Sequence, residues 1–390
     1  MIDFETPDRT GLAVTSFPLT AEMSQEAQQF LVKIFNKERG ILILGEHAGI
    51  LPDSFWEFIR QLQWPVLADP LSNIRGGAPE SAQRFIVDSY DALLKHDGFR
   101  KAVEPDVIVR IGPQPVSKAL ALWLNSLEPA LYVAVDESPM MRDPQSAVTH
   151  HIQAASDAVW TLESGGTKES HYANQWSEAN RLYWEAVREH ADTETDEGTL
   201  AHLLFEQSSE CDLILSSSMP IRDADTFYRS APRNVRIYAN RGANGIDGVV
   251  STAFGVQAAN RRPALLLIGD LAFLHDMNGL IAATLQPSDI TIVIMNNNGG
   301  GIFSYLPQSG EERHYEALFG TPTGLSFKDA AAMYGAQYDA VQSKEELMAA
   351  LGKEKTAAVR LIEVFTNRRH NTETHRKLWG KVNGRLDERW

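Results

Sequence analysis

Residues 264–301 read ALLLIGDLAFLHDMNGLIAATLQPSDITIVIMNNNGGG. Two apolar runs frame the stretch, Ala264–Ile268 and Ile290–Met295. Each ends in polar residues: Gly269-Asp270-Leu271 after the first, Asn296-Asn297-Asn298-Gly299-Gly300-Gly301 after the second. Short, continuously apolar runs punctuated in this way predict strands buried on both faces, as in a parallel sheet covered by helices. The segment Ala272–Leu280 between them opens a helix. If the two strands are neighbours, Asp270 and Asn297 meet at one edge of the sheet, beyond the carboxyl ends where open α/β sheets receive ligands.

The same alternation extends outward in both directions. Leu213–Leu215, Arg236–Ala239 and Val359–Val364 are further strand candidates in the second half. In the first half they are Gly40–Leu44, Pro65–Ala68, Val107–Ile111 and Leu131–Val135, with helical patterns at Asp53–Leu62 and Ser117–Leu124 between them. Ser164-Gly165-Gly166-Thr167 breaks the pattern. A long amphipathic stretch follows from Tyr172 to His190, then an acidic, Thr-rich segment, Asp192–Glu197. The expectation is an α/β chain of two doubly wound parallel-sheet domains, residues 1–168 and 169–390.

Composition narrows the function classes. The chain has 390 residues, 43% of them apolar and 22% charged, which is ample for folded cores. Its formal net charge of −15 disfavours nucleic acid and anionic lipid as partners. The single cysteine, Cys211, precludes an intrachain disulfide and suits a reduced, cytoplasmic setting. The start, Met1-Ile2-Asp3-Phe4-Glu5, lacks the basic and apolar regions of a signal peptide. The longest apolar runs fall far short of a membrane span.

Asp270 and Asn297 offer one carboxylate and one side-chain amide, joined by at least one backbone carbonyl. A small set of hard oxygens, completed by phosphate and water, suits Mg²⁺. The glycines after Asn298 let the backbone approach a diphosphate and cradle it with N–H groups, and a helix N-terminus after Gly269 favours phosphate. Alone, Asp270 reads equally well as a turn residue or helix cap. Its pairing with Asn297, 27 positions later, points to a site. Other motifs fail their tests. Gly112-Pro113-Gln114-Pro115 is not a dinucleotide fingerprint, Gly165-Gly166-Thr167-Lys168 is not a phosphate-binding P-loop, and no G-x-S-x-G elbow occurs. His150-His151 is adjacent and cannot present both imidazoles from one helix face. His275 is close enough to the proposed site to be either functional or a helix-face polar residue.

Gly-Asp-X followed by Asn-Asn at this interval resembles the motif of thiamine-diphosphate enzymes, with Leu271 where glycine is commoner. Gly269–Leu280 (GDLAFLHDMNGL) and Asn296–Gln308 (NNNGGGIFSYLPQ) resemble the MenD family in particular, the 2-succinyl-5-enolpyruvyl-6-hydroxy-3-cyclohexene-1-carboxylate synthases. Ser218–Arg222 (SMPIR), Asn240–Gly248 (NRGANGIDG), Thr366–Arg368 and His375–Trp379 are similar as well. Trp64–Ser72 (WPVLADPLS) and Pro105–Ser117 (PDVIVRIGPQPVS) resemble that family's middle domain.

The resemblance implies menaquinone biosynthesis: thiamine-diphosphate-dependent decarboxylation of 2-oxoglutarate and addition of the succinyl unit to isochorismate. It implies a cofactor site at Ile246, Gly269, Asp270, Leu271, Asn297 and Gly299, with Asp270, Asn297 and the Gly299 carbonyl as ligands of Mg²⁺, which Mn²⁺ can replace. Ile246 matches the wedge that keeps the cofactor bent. Ser218, Arg222 and Arg241 match polar groups facing the substrate carboxylates, for which arginine forks are natural partners. Ile302, Phe303 and Leu306 match the apolar wall. A surface ion pair for Arg222, a cap for Arg241 and plain packing for Phe303 and Leu306 stay open. The resemblance also implies a middle domain and a diphosphate-binding domain without the N-terminal pyrimidine-binding domain, whose activating glutamate has no counterpart here. The chain alone is then expected to be inactive, and the full-length enzyme a homodimer or homotetramer. Another thiamine-dependent 2-oxo acid decarboxylase or carboligase, or a non-catalytic cofactor-binding module, is the alternative.

Overall fold

The structure is a computed structural model that describes residues 23–47, 51–127, 131–140, 142–144, 146–163, 170–311 and 313–390. The expected boundary near residue 168, and the Ser164–Thr167 break with it, lie outside the described residues, as do residues 1–22.

Two sheets organise the chain. The first contains β1 (Gly40–Leu44), β2 (Val66–Ala68), β3 (Ile86–Val87), β4 (Val107–Ile111), β5 (Leu131–Asp136) and β6 (His150–Gln153), in the order β3-β2-β1-β4-β5-β6. The second contains β7 (Asp212–Leu215), β8 (Arg236–Ala239), β9 (Ala264–Gly269), β10 (Ile290–Asn296), β11 (Gln337–Val341) and β12 (Val359–Phe365), in the order β11-β12-β10-β9-β7-β8. Every pairing is parallel. The strand order reverses between β1 and β4 in one sheet and between β7 and β9 in the other. These are the switch points where such sheets bind ligands.

The apolar strands form where the sequence predicts them. Three strands had no apolar signal to find. β3 is two residues long, β6 reads HHIQ and β11 reads QYDAV, and all three lie at sheet edges where one side needs little burial. His150 and His151 therefore sit on a strand, not a helix. Successive strand residues face opposite ways, and His150 stacks on Phe30 at 4.9 Å between ring centroids.

Strand alternation divides the interior into three cores. Leu42, Leu44, Val66, Val107 and Val109 face an outer core of the first sheet. Leu266, Ile268, Ile292 and Ile294 face an outer core of the second. Ile41, Ile43 and Ile108 share a third, central core with Leu213, Leu267, Val293 and Ile362. The helix His171–Thr193 runs through that central layer, burying Tyr172, Trp176, Tyr183 and Trp184. Its ends are fastened to both units: Tyr172 Oη donates to the Val103 carbonyl and Tyr183 Oη to the Thr226 carbonyl, each at 2.7 Å.

Polar contacts then fix the two units together. Arg75, fully buried, donates to the carbonyls of Ala68 (2.8 Å), Ala224 (3.0 Å), Asp225 (3.0 Å) and Tyr228 (3.3 Å) and pairs with the Asp225 carboxylate at 2.9 Å. Asp88 accepts from Trp184 Nε1 and from the Ser230 amide. Asn73 Oδ1 accepts from the Ile237 amide at 2.6 Å. Arg75→Ala would strand a buried carboxylate and several buried carbonyls, so it should cost about 3–5 kcal/mol. Urea unfolding of the variant checks this, and a loss below about 1 kcal/mol, typical of an exposed pair, would refute it.

His375 supplies a pH dependence. Its ring packs among Phe227, Tyr305 and Trp379, and Nδ1 lies 3.0 Å from the Asn371 carbonyl. Burial pulls its pKa down to about 4, opposed mainly by Asp196, with His190 and Lys95 also facing it. The unfolded chain takes up this proton from about pH 6.5 downward, while the folded chain refuses it until about pH 4. Stability should therefore fall as pH drops from about 6.5 to 4, by up to ~3 kcal/mol from this group. Urea titrations at several pH values should show a shallower acid dependence in His375→Gln.

Candidate functional site

The β9–β10 register pairs Met295 with Gly269, so Asp270 and Asn297 leave the sheet side by side. β12 pairs Phe365 with Asn296, which brings Thr366 to the same edge. On the other flank, β7 pairs Leu215 with Leu267 and with Ala239, adding Ser216–Ser218 and Asn240–Arg241. One edge thus collects residues from five separate stretches of sequence.

The three asparagines after β10 do different work. Asn296 is an anchor: its Nδ2 donates to Glu363 Oε1 at 2.6 Å and to the Leu325 carbonyl at 2.9 Å. Glu363 is fully buried and also accepts from Ser326 Oγ, the Phe327 amide and Tyr338 Oη. Asn298 takes the left-handed conformation, φ 59°, and its Oδ1 accepts from the Gly324 amide. Asn297, between them, faces a cavity. Its backbone carbonyl accepts from Arg368 Nε at 3.2 Å and its Nδ2 donates to Glu197 Oε1 at 2.9 Å. Its Oδ1 is buried and has no hydrogen-bond partner among the described residues. A buried acceptor left unpaired costs about 1–3 kcal/mol, so the position is held at a cost that a cation would relieve.

Asp270 starts the helix Asp270–Asp276, two residues before the predicted onset, and is buried. One of its oxygens accepts from the Gly299 amide at 2.7 Å. Burial pushes its carboxyl up to about 6, against the amides of Leu271 and Gly299 that hold it down. Gly299 has φ +133°, and a Cβ there would lie 1.9 Å from the Gly320 carbonyl oxygen. Gly300 is equally constrained, with its amide donating to the Gly320 carbonyl at 2.8 Å. The loop therefore passes where only bare backbone fits.

The cavity measures about 310 Å³. Ser218, Arg222, Arg241, Ile246, Gly269, Asp270, Leu271, Asn297, Gly299, Ile302 and Phe303 all line it. Leu306, expected on the same wall, does not. It closes the short 3₁₀ turn Gly301–Tyr305, its amide bonded to the Phe303 carbonyl. His275 is exposed at the far end of its helix and is not part of the lining. Arg222 is exposed and donates to the Ser218 carbonyl. Burial, and then the charge of Arg222, lower the pKa of Arg241, so the two cations face one another across the same space. Ser218 has φ 75° and ψ −127°, a strained conformation for a residue with a side chain and one that concentrates at ligand sites.

Two acids in the lining escaped sequence reasoning. Glu197 is buried in the first turn of the helix Glu197–Gln207. Burial pushes its carboxyl up to about 7, against hydrogen bonds from Asn297 and Thr366 and assisted by the Asp270 charge. Asp223 is buried and raised well above the ordinary range by burial and by Glu197. Asp196, an N-cap residue just before Glu197, was the available signal within a segment read only as acidic and Thr-rich. A cavity of about 320 Å³ also sits at the first sheet's switch point, but there the buried Asp136 is already paired with Arg142 at 2.7 Å. Unpaired acceptors and raised acids mark the second cavity as the candidate site.

A doubly wound α/β chain with an oxygen-lined, glycine-floored cleft at a switch point belongs to the class that binds phosphorylated cofactors. Comparison with known proteins makes this specific. Residues 16–214 match the family described as "Middle domain of thiamine pyrophosphate", and residues 222–364 match "Thiamine pyrophosphate enzyme, C-terminal TPP binding domain". The 2-succinyl-5-enolpyruvyl-6-hydroxy-3-cyclohexene-1-carboxylate synthase of Lysinibacillus sphaericus is 46% identical over 367 residues, covering 92% of this chain and 64% of that protein. The synthase of Bacillus velezensis is 39% identical over 370 residues, covering 92% and 63%. That of Bacillus pumilus is 38% identical over 397 residues, covering 97% and 66%. The chain belongs to the thiamine pyrophosphate enzymes and, among them, to the family of these synthases. It spans about two thirds of the length of the curated relatives it matches.

Gly299→Ala should leave the fold intact and displace the loop from the cavity. Strain of about 1–3 kcal/mol at such a position corresponds to a loss of roughly 5- to 150-fold in thiamine diphosphate affinity. Calorimetric titration, with circular dichroism as the control for folding, measures it, and unchanged affinity would remove the loop from the cofactor site.

Proposed function

We propose that this chain forms the middle and diphosphate-binding parts of a synthase that decarboxylates 2-oxoglutarate and joins the succinyl unit to isochorismate in menaquinone biosynthesis. The observation that carries the reading is the meeting of Asp270, Asn297 and the Gly299–Gly301 backbone at one cavity whose open side presents Arg222 and Arg241. The residues fit a diphosphate with a hard cation. Asn297 Oδ1 is buried and unpaired, Asp270 is the adjacent carboxylate, and Gly269 leaves open space where a side chain would stand. The described residues contain no group of three or more His, Cys, Asp or Glu able to hold a metal on its own. Phosphate oxygens and water would complete a sphere built on Asp270, Asn297 and the Gly299 carbonyl, for Mg²⁺ or Mn²⁺.

When bound, thiamine diphosphate supplies the nucleophilic carbon and the electron sink for removing carbon dioxide and transferring the remaining acyl unit. The chain's residues bind and orient. Ile246, which lines the cavity, would be the apolar wedge for the cofactor. Ile302 and Phe303 exclude water from one wall. Arg222 and Arg241 neutralise the carboxylates that both substrates carry, and Ser218 directs its hydroxyl to the same acids. A partly buried Arg241 beside a second cation, Arg222, is costly without anions near them, which favours dicarboxylate substrates over a neutral aldehyde. Residues 1–168 would be the middle domain and 169–390 the cofactor domain. A pyrimidine-binding domain of a partner subunit in a dimer or tetramer would close the site. No helix among the described residues is long and apolar enough to cross a membrane, and a cytoplasmic setting fits these water-soluble substrates.

Two substitutions separate the cofactor and substrate roles. Asp270→Ala should abolish Mg²⁺-dependent thiamine diphosphate binding, measured by calorimetry on the chain. Arg222→Ala and Arg241→Ala should leave that binding largely intact. In a full-length synthase that carries them, each should cost about 2–4 kcal/mol in kcat/KM for the two acids. Normal cofactor affinity in the first variant would sink the metal assignment, and normal kcat/KM in both arginine variants would make the arginines structural.

A further inference from the structure

Asn297 can serve a cation only through its amide oxygen, and an amide side chain presents either end equally well unless its partners choose. Here the partner is a carboxylate, which accepts but does not donate when ionised. Glu197 Oε1 takes the Nδ2 hydrogen of Asn297 at 2.9 Å and the Thr366 hydroxyl hydrogen at 2.8 Å. Turning the amide over would place oxygen against oxygen. With Nδ2 held by Glu197, Oδ1 is the end left for the cavity, and it is the buried atom without a partner.

Glu197 is in turn immobilised from behind. Its amide donates to Asn371 Oδ1 at 3.1 Å. The helix it opens is capped by Asp196, which accepts the Thr199 amide at 2.7 Å and lies 2.8 Å from His190 Nε2. Asn371 Nδ2 donates to Tyr305 Oη at 3.0 Å, tying the same support to the turn after Gly301. Four elements, the helix Arg368–Asp387, the helix Glu197–Gln207, β12 and β10, thus converge on one amide.

We infer that Glu197, braced by Thr366, is a positioning residue that locks the Asn297 side chain with its oxygen toward the cavity, so that the cation site is assembled before any cation arrives. This rests on the metal reading proposed above. The lock is geometric: the Thr366 hydroxyl selects the acceptor oxygen that faces Asn297, so a glutamine holding its oxygen on Thr366 serves as well as the carboxylate, while a side chain with no acceptor does not.

The test uses Mn²⁺ as the probe, with thiamine diphosphate present, binding to the full chain and read by electron paramagnetic resonance. Outer partners of metal ligands typically contribute about 10–100-fold in affinity, so Glu197→Ala should weaken Mn²⁺ by that factor. Glu197→Gln should bind within about threefold of the unsubstituted chain, by the same criterion. Thr366→Val, which keeps the carboxylate but frees it to move, should fall between the two and covers the case in which Glu197→Ala does not fold. Unaltered affinity in Glu197→Ala or, should that variant not fold, in Thr366→Val overturns the inference. So does a loss in Glu197→Gln as large as in Glu197→Ala, which would make charge and not orientation the cause. Asp270→Ala separates the two levels. If it too binds Mn²⁺ normally, the metal reading itself fails; if it alone loses binding, only the positioning role does.

Discussion

The parallel pairing of β9 with β10 is the constraint on which the site depends. Parallel strands deliver their carboxyl ends to one edge, and the match of Met295 with Gly269 fixes which residues arrive together. A slip of one residue would turn every side chain of one strand to the opposite face, exchanging the two cores that Val293 and Ile294 now enter separately. The burial of those strands therefore sets the geometry of Asp270 and Asn297 without any contact between the two side chains being needed. Chemistry at the edge is placed by hydrophobic alternation several residues away.

What gathers at that edge runs against the interest of folding. Glu197, Asp223 and Asp270 are three buried acids around one cavity, each raised chiefly by burial. Ser218 holds a strained backbone, and Asn297 Oδ1 lacks a partner. The buried acid of the other cavity, Asp136, is instead neutralised by Arg142. Local violations of the rules for stable packing at the lining of a cavity are ones that a bound ligand can compensate.

The sequence disclosed those parts of this arrangement that are local in the chain. Asp270 and the Asn297–Gly301 run follow directly on apolar strands, so their position at a strand end was readable. Glu197 was not, because its partners Asn297, Thr366 and Asn371 lie 100, 169 and 174 positions away. No periodicity links such residues; only the sheet order does, with β12 inserted between β10 and β11. Edge strands were lost for a related reason. β6 and β11 bury too little to write an apolar run, and β3 is too short for one. Leu306 differs for another reason: it is an apolar residue in the right segment that closes a 3₁₀ turn and does not line the cavity.

The first unit reaches the site indirectly. Arg75 comes from the loop after β2, yet its guanidinium serves the carbonyls of Ala224, Asp225 and Tyr228 at the end of the helix Met219–Phe227. A cation there satisfies orphaned carbonyls and complements the negative end of the helix. The opposite end of that helix follows Ser218 and carries Arg222. Asn73, two residues before Arg75, binds the amide of Ile237 in β8, the strand that leads to Arg241. Asp69, from the same loop, lies close enough to Arg241 to oppose the lowering of its pKa. The loop spanning Asp69 to Arg75 thus sets the position of the helix bearing one cavity arginine and the strand leading to the other. In this way the first unit, which supplies none of the residues lining the cavity, still braces the elements that carry its two positive charges.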